Sequence, residues 1–318
     1  MMINRDIDNG KAFDWGRASA DYAKYRDIYP DEFYNRLLSL GLCRSGLRVL
    51  DIGTGTGVLP RNLYRCGAKF VGVDSSENQI AEAKKLADEA GMDIEFQCVP
   101  AEKIEFSENS FDVVTACQCF AYFNHAKLAP RLHTLLKPGG RFAVVYMAWL
   151  PDEDPVAGKS EELVLKYNPL WTGCKEKRRP IDVPDVYLDY FTPVHQEVFD
   201  IAVPFTRESW HGRIRSCRGV DASLSEKEIQ LFDREHKALL RSIAPQNFEI
   251  PHYAAVSVLE KKYSGHMPVS GGRFPHGCLG FHYHTLYIAG FDKRQNVILY
   301  KINRVLLPPC GDKTNMVN

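Results

Sequence analysis

From about residue 46 to about residue 150, short apolar runs alternate with stretches of helical periodicity, which predicts a mostly parallel sheet with helices on both faces. The first predicted strand runs from Arg48 to Ile52, and a helix follows from Val58-Leu59-Pro60. Proline is tolerated there because first-turn amides have no intrahelical partner. A second strand, Lys69 to Val73, ends at Asp74. Ser76-Glu77-Asn78-Gln79 reads as a capping box opening a helix that turns Ile80, Ala83, Ala87 and Ala90 inward and stops at Gly91. Ile94, Phe96 and Cys98 alternate as a third strand, and Phe111 to Cys117 forms a fourth. Leu128, Leu132 and Leu135 mark a helix closed by Pro138-Gly139-Gly140, before a fifth strand from Arg141 to Tyr146.

The pattern weakens between 151 and 193, which is rich in proline and charge and reads as an insertion with limited regular structure. Its run Lys175-Glu176-Lys177-Arg178-Arg179 is expected to be a solvated loop. Strands resume at Gln196 to Thr206 and Tyr253 to Glu260. Of the helices between them, one starts near Thr206 with Trp210, Ile214 and Cys217, and one opens at the capping box Ser225-Glu226-Lys227-Glu228. Beyond 263, Gly, Pro and His cluster ahead of two strand-like runs, 281–291 and 296–307, about the turn Asp292-Lys293-Arg294-Gln295. They predict either an added hairpin or a poorly ordered extension.

Composition narrows the class. The 40 basic and 40 acidic residues balance, so no net field favours nucleic acid or a membrane surface. No apolar run is long enough to span a bilayer, and the polar opening residues argue against a signal peptide. Nine scattered cysteines without a C-x-x-C pair fit reduced thiols, so a cytoplasmic protein is expected.

The most informative stretch is Val49-Leu50-Asp51-Ile52-Gly53-Thr54-Gly55-Thr56-Gly57. A strand ending this way brings bare backbone to the mouth of a parallel sheet, where a nucleotide-like ligand can lie against it. A dinucleotide fingerprint, G-x-G-x-x-G, would need its third glycine one place later, and Asp51 sits poorly beside a pyrophosphate. An acid suits a ligand with an ammonium and a sulfonium. Asp74 closes the next strand, where a carboxylate can accept from ribose hydroxyls, or serve only as a turn residue. Pro100-Ala101-Glu102 follows the third strand, where Ala101 would admit a ring.

Together with Val113 to Phe120 and Leu135 to Phe142, these residues resemble the class I S-adenosylmethionine (SAM)-dependent methyltransferases, in particular their small-molecule branch around trans-aconitate methyltransferase. The resemblance covers residues 12–262. It implies a doubly wound, mostly parallel, Rossmann-like seven-stranded sheet with an antiparallel final strand. Residues 1–262 would form the methyltransferase domain, 151–193 and 207–251 its substrate-side insertions, and 263–318 a C-terminal extension. SAM would be the cofactor, held by Asp51, Gly53, Thr54, Gly55, Gly57, Asp74, Ser75, Ala101, Glu102, Cys117 and Gln118. Phe13 to Arg26 looks like the family's aromatic lid, with Tyr25 and Arg26 on the cofactor and Tyr22 toward the acceptor. Each of these aromatics could equally pack a helix on the sheet.

The implied reaction moves a methyl group to a small metabolite, through a carboxylate or another oxygen nucleophile. Where many relatives have a His-Trp pair, this chain has Ala121 and Tyr122, so the acceptor is not assigned by the resemblance. Tyr122, Trp210 and Arg215 are candidate acceptor contacts, and Arg213 and Arg218 lie on or near the same helix. An arginine fork there would suit an anionic acceptor, against the alternative of solvated side chains. His125 and His211 are the candidate bases, against a surface or core role for each. Alternate His282 and His284 could join Cys278 on a metal, but the surrounding glycines and irregular spacing argue against it, and no metal is expected. Two other readings stay open: a SAM-binding protein without catalysis whose tail meets a partner, and a methyltransferase acting on RNA or protein. The neutral charge and the lack of an Asn/Asp-Pro-Pro-Tyr/Phe segment weigh against nucleic acid.

Overall fold

The computed structural model describes residues 7–17, 23–262, 283–292 and 297–306, the last two segments by backbone alone. Nine strands form one sheet in the order β3-β2-β1-β4-β5-β7-β6-β9-β8. The first five are β1 (Arg48–Ile52), β2 (Lys69–Asp74), β3 (Glu95–Cys98), β4 (Phe111–Cys117) and β5 (Leu136–Trp149), all parallel to one another. β6 (Phe191–Thr206) lies outside β7 (Asn247–Lys261), and β7 is antiparallel to both β5 and β6. These seven strands are the doubly wound, mostly parallel sheet expected. β8 (Tyr283–Asp292) and β9 (Val297–Leu306) pair as an antiparallel hairpin, and β9 extends the sheet by pairing with Glu197 to Phe199 of β6.

The helices are α1 (Asp31–Ser39), α2 (Val58–Leu63), α3 (Glu77–Glu89), α4 (His125–Leu135), α5 (Pro155–Tyr167), α6 (Arg207–Arg215) and α7 (Glu226–Ile243). Helices α3 to α7 start at side-chain caps, whereas α1 and α2 have none. Ser76 accepts from the Gln79 amide, and Ser225 and Glu228 form a reciprocal capping box.

Helix α5 corrects the expectation of little regular structure after 151. Asp154 caps it through the Ala157 amide and Pro155 sits in its first turn. Its buried face mixes Val156, Ala157 and Val164 with Ser160 and Glu161, which hides the apolar stripe a sequence reading looks for. Strands β5, β6 and β7 are also longer than the apolar runs that announce them. β5 begins at Leu136, directly after α4, and a register irregularity between Phe111 and Val113 absorbs its Pro-Gly-Gly turn.

Trp210 belongs to the core rather than to an acceptor pocket. It is fully buried, its ring packs edge-on against Trp149 and Phe205, and its indole N–H donates to Ser160 Oγ at 3.0 Å. It therefore anchors α6 to β5, β6 and α5 together. Trp210→Ala is expected to cost about 3–5 kcal/mol of unfolding free energy. Urea denaturation checks this, and a loss below about 1 kcal/mol would contradict the core assignment.

Candidate active site

The site is built at the C-terminal ends of the parallel strands, the place where open α/β sheets bind ligands. Asp51 ends β1 opposite Gly72 of β2 and Thr115 of β4. It is buried, and its Oδ1 accepts from Thr115 Oγ1 at 2.6 Å. Burial pushes its pKa up to about 6, against the smaller opposing effect of its threonine partners. Beyond it the chain turns through Gly53, Gly55 and Gly57, all with left-handed backbones (φ +64°, +57° and +72°). A Cβ at Gly53 would lie 2.7 Å from the Cys119 side chain, and one at Gly57 2.7 Å from the Phe96 ring. Only glycine meets both demands.

Asp74 locks this turn to the next one. Its Oδ2 accepts from the Gly55 amide and its Oδ1 from the Ser76 amide, both at 2.9 Å. A carboxylate oxygen has two lone pairs, so each oxygen keeps one for a ligand hydroxyl. Burial raises the Asp74 pKa, and the amide bonds oppose that rise.

A cavity of about 500 Å³ runs from this turn across the strand ends. One part is walled by Gly53, Gly55, Asp74, Ser75, Ala101 and Glu102, with Cys117 and Gln118 from the end of β4. Gln118 also has a left-handed backbone (φ +64°), and its Nε2 donates to the Met147 carbonyl at 2.5 Å. A residue with a Cβ adopts that conformation where its surroundings force it, and such residues gather at functional sites. Burial pushes the Cys117 thiol up to about 12, which leaves it protonated and unreactive near neutral pH.

The other part is bounded by Tyr122, Tyr146, Trp149, Trp171, Glu176 and Arg213. Trp149 and Trp171 are buried, and the Arg213 guanidinium stacks 4.7 Å from the Trp149 ring centroid. Arg218 also reaches the cavity, but its fork holds the buried Asp8 at 2.8 and 3.0 Å and its third nitrogen donates to Tyr122 Oη at 2.8 Å. Burial alone would raise the Asp8 pKa, yet the bonds from Arg218 and Thr172 hold it below the usual value.

Several predicted residues take other places. Asp51, Thr54 and Gly57 support the turn without lining the cavity. Arg26 lines it beside Trp15, whereas Tyr25 lies flat on Gly212 of α6 and donates to Glu208 Oε1 at 3.3 Å. Tyr22 lies outside the described residues, as do His276, Cys278 and His282. Arg215 is turned to Asp233 at 3.2 Å, away from the cavity wall. His211 is buried between His236, at 2.9 Å, and Asp233, at 3.3 Å. His125 contacts Tyr187 Oη at 3.2 Å, and burial lowers its pKa. Neither histidine lines the cavity, so neither is placed as a base.

The run 175–179 is a loop with Lys175, Lys177, Arg178 and Arg179 exposed, as expected, and Glu176 is its exception. It faces the cavity, accepting from Tyr146 Oη at 2.9 Å and from Tyr253 Oη at 3.1 Å. A run of charged residues gives no sequence signal for this. Trp171 and Trp149 were likewise indistinguishable from core residues before the fold placed them.

Residues 49–140 match the family model for a methyltransferase domain. The ubiquinone biosynthesis O-methyltransferase of Bradyrhizobium diazoefficiens is 38% identical over 120 residues, 37% of this chain and 47% of that protein. Its counterpart in Nitrosococcus oceani is 32% identical over 131 residues, 40% of this chain and 54% of that protein. The chain thus spans about half the length of the curated relatives it matches. Among solved structures, the YcgJ protein of Bacillus subtilis overlays 74% of this chain and 100% of that chain, at 21% identity and a TM-score of 0.46. Residues 49–140 thus carry a methyltransferase domain, within a sheet of the class I SAM-dependent methyltransferase type. Among the described residues no helix is long and apolar enough to cross a membrane, and no cluster of His, Cys, Asp and Glu is arranged to hold a metal.

The buried Asp51 makes stability depend on pH. Its folded pKa lies above the ordinary 3.8, so its protonated form is favoured in the fold. Its stabilising contribution is complete below about pH 4 and is lost as the pH rises through about 6. Across that window the wild type should lose roughly 2–3 kcal/mol relative to Asp51→Asn. Parallel denaturation curves for the two proteins would contradict this.

Proposed function

We propose that the protein transfers a methyl group from SAM to an oxygen nucleophile of a small acceptor. The observation that carries this reading is the continuity of one cavity from the glycine turn and Asp74 to the chamber holding Trp149, Trp171, Glu176 and Arg213. The residues present fit the cofactor. The glycine turn offers backbone where any Cβ would be strained, Asp74 keeps a lone pair on each oxygen for a ribose diol, and Ala101 leaves room beside it for a ring. Arg26 and Trp15 approach from the N-terminal segment. When bound, the cofactor supplies an electrophilic methyl group on a sulfonium.

The chain's task in such a displacement is to hold the acceptor oxygen about 3–3.5 Å from the methyl carbon and away from water. Buried Trp149 and Trp171 exclude solvent from the acceptor side, and residues 151–193 and 207–251 supply Trp171, Glu176 and Arg213 of that wall. Arg213 and Arg218 both line the cavity, Arg218 engaged with Asp8, and an anionic substituent of the acceptor would meet their positive charge. Relatives named as O-methyltransferases support oxygen as the nucleophile. A small organic molecule fits the cavity, which falls in the usual size range for such ligands.

Incubation with methyl-labelled SAM and a metabolite extract should place label in a low-molecular-weight product. Failure to label any small molecule, with S-adenosylhomocysteine shown to bind, would contradict the proposal. Asp74→Ala should weaken S-adenosylhomocysteine binding by on the order of 2 to 4 kcal/mol, the scale of two charge-assisted hydrogen bonds. An unchanged dissociation constant by calorimetry would mean the ribose is held elsewhere.

A further inference from the structure

We propose that Glu176 sets acceptor specificity, selecting molecules that present a hydroxyl hydrogen to its carboxylate over those that present none. The inference rests on reading the Trp149–Trp171 side of the cavity as the acceptor chamber.

Glu176 lies between α5 and β6, in a stretch with no regular element before the short turn Asp185–Asp189, yet it is held firmly. The preceding Lys175 has a left-handed backbone (φ +57°), and its amide donates to Glu161 Oε2 at 2.8 Å. Glu161 is itself buried and takes the Trp149 indole N–H on its other oxygen at 2.6 Å. The acid that fixes a wall of the chamber therefore also fixes the turn that points Glu176 into it. A strained non-glycine backbone beside a cavity-facing acid is a pattern of functional sites.

The carboxylate has about four accepting positions. On Oε1, Tyr146 Oη donates at 2.9 Å and Arg179 at 3.4 Å; on Oε2, Tyr253 Oη donates at 3.1 Å. One position on Oε2 remains. The Glu176 side chain is only 17% exposed and lines the cavity, so the group that completes it comes from a ligand or from confined water. Only a hydrogen-bond donor can fill it. Both tyrosine hydroxyls give their protons to Glu176, which leaves neither proton for a ligand. A carboxylate acceptor facing this group meets like charge and no donor. A flat molecule bearing a hydroxyl meets an accepting oxygen in a cavity also lined by Trp149, Trp171 and Tyr122.

The test is calorimetric binding of 2-naphthol and 2-methoxynaphthalene, a pair that shares a ring system and differs in the donated hydrogen, with and without S-adenosylhomocysteine. Wild type should bind the naphthol at least about tenfold more tightly, the scale of one hydrogen bond to a charged group. In Glu176→Gln that ratio should fall below about threefold while the S-adenosylhomocysteine affinity stays within about twofold. Glu176→Leu, which removes both accepting oxygens, should abolish the ratio. A wild-type ratio near one, or a ratio that survives in both variants, overturns the assignment. A Glu176 that only staples its loop would alter the melting temperature and leave the ratio in place. Loss of S-adenosylhomocysteine binding in wild type would instead remove the methyltransferase reading, and the naphthol ratio would still report on Glu176.

Discussion

The bond from the Gly55 amide to the Asp74 carboxylate ties the end of β1 to the end of β2, and the geometry of the site depends on it. Parallel register sets Asp51 beside Gly72 and Thr115, which places the two strand ends level. Gly72 makes that approach possible: a Cβ there would lie 2.7 Å from the Phe96 ring and 2.9 Å from Thr54 Oγ1. With the turn pinned at Asp51 by Thr115 and at Gly55 by Asp74, the left-handed Gly53 and Gly55 present bare backbone to the cavity, and Gly57 closes the turn behind them. An acid is thus used twice, once buried to hold the turn and once half-exposed to hold the turn and keep lone pairs for a ligand.

The acceptor wall is held by a different kind of interaction. Helix α6 brings Arg213 to the cavity while Trp210 on the same helix is locked among Trp149, Phe205 and Ser160. Behind it, His211 meets His236 at 2.9 Å, and His236 meets Ser160 Oγ at 3.0 Å, so α5, α6 and α7 share one buried polar chain. Burial lowers the His236 pKa to about 3, which keeps that ring neutral. Gly212 on the same helix leaves room for the Tyr25 ring, which docks the N-terminal segment carrying Arg26. The N-terminal segment and the Trp149–Arg213 side of the cavity therefore meet through α6, whose position the core decides.

The glycine-turn side of the cavity was legible in the sequence because local rules fix its backbone. A strand that runs into spaced glycines and a strand that ends in Asp each have a narrow set of backbone outcomes, and the caps at Ser76 and Ser225 mark helix starts by chemistry alone. The acceptor side was not legible because it is assembled from residues far apart in the chain. Glu176 becomes a site residue only when Tyr146 of β5 and Tyr253 of β7 are brought to it, and in sequence it is one charge among five in a row. Helix α5 escaped for a related reason, since its inward face includes Ser160 and Glu161, whose partners Trp210, His236, Trp149 and Lys175 are supplied by the tertiary fold. Trp210 misled in the opposite direction: an aromatic on a variable helix suits a pocket as well as a core, and only packing separates the two.

The central claim is that a nucleoside-bearing cofactor lies against the glycine turn and Asp74. Amide hydrogen exchange with and without S-adenosylhomocysteine tests it most directly. Slowed exchange is expected at Gly53, Gly55, Ser75, Ala101 and Gln118, with little change in α7, none of whose residues lines the cavity. Protection confined to other segments, or no protection at saturating ligand, would contradict it.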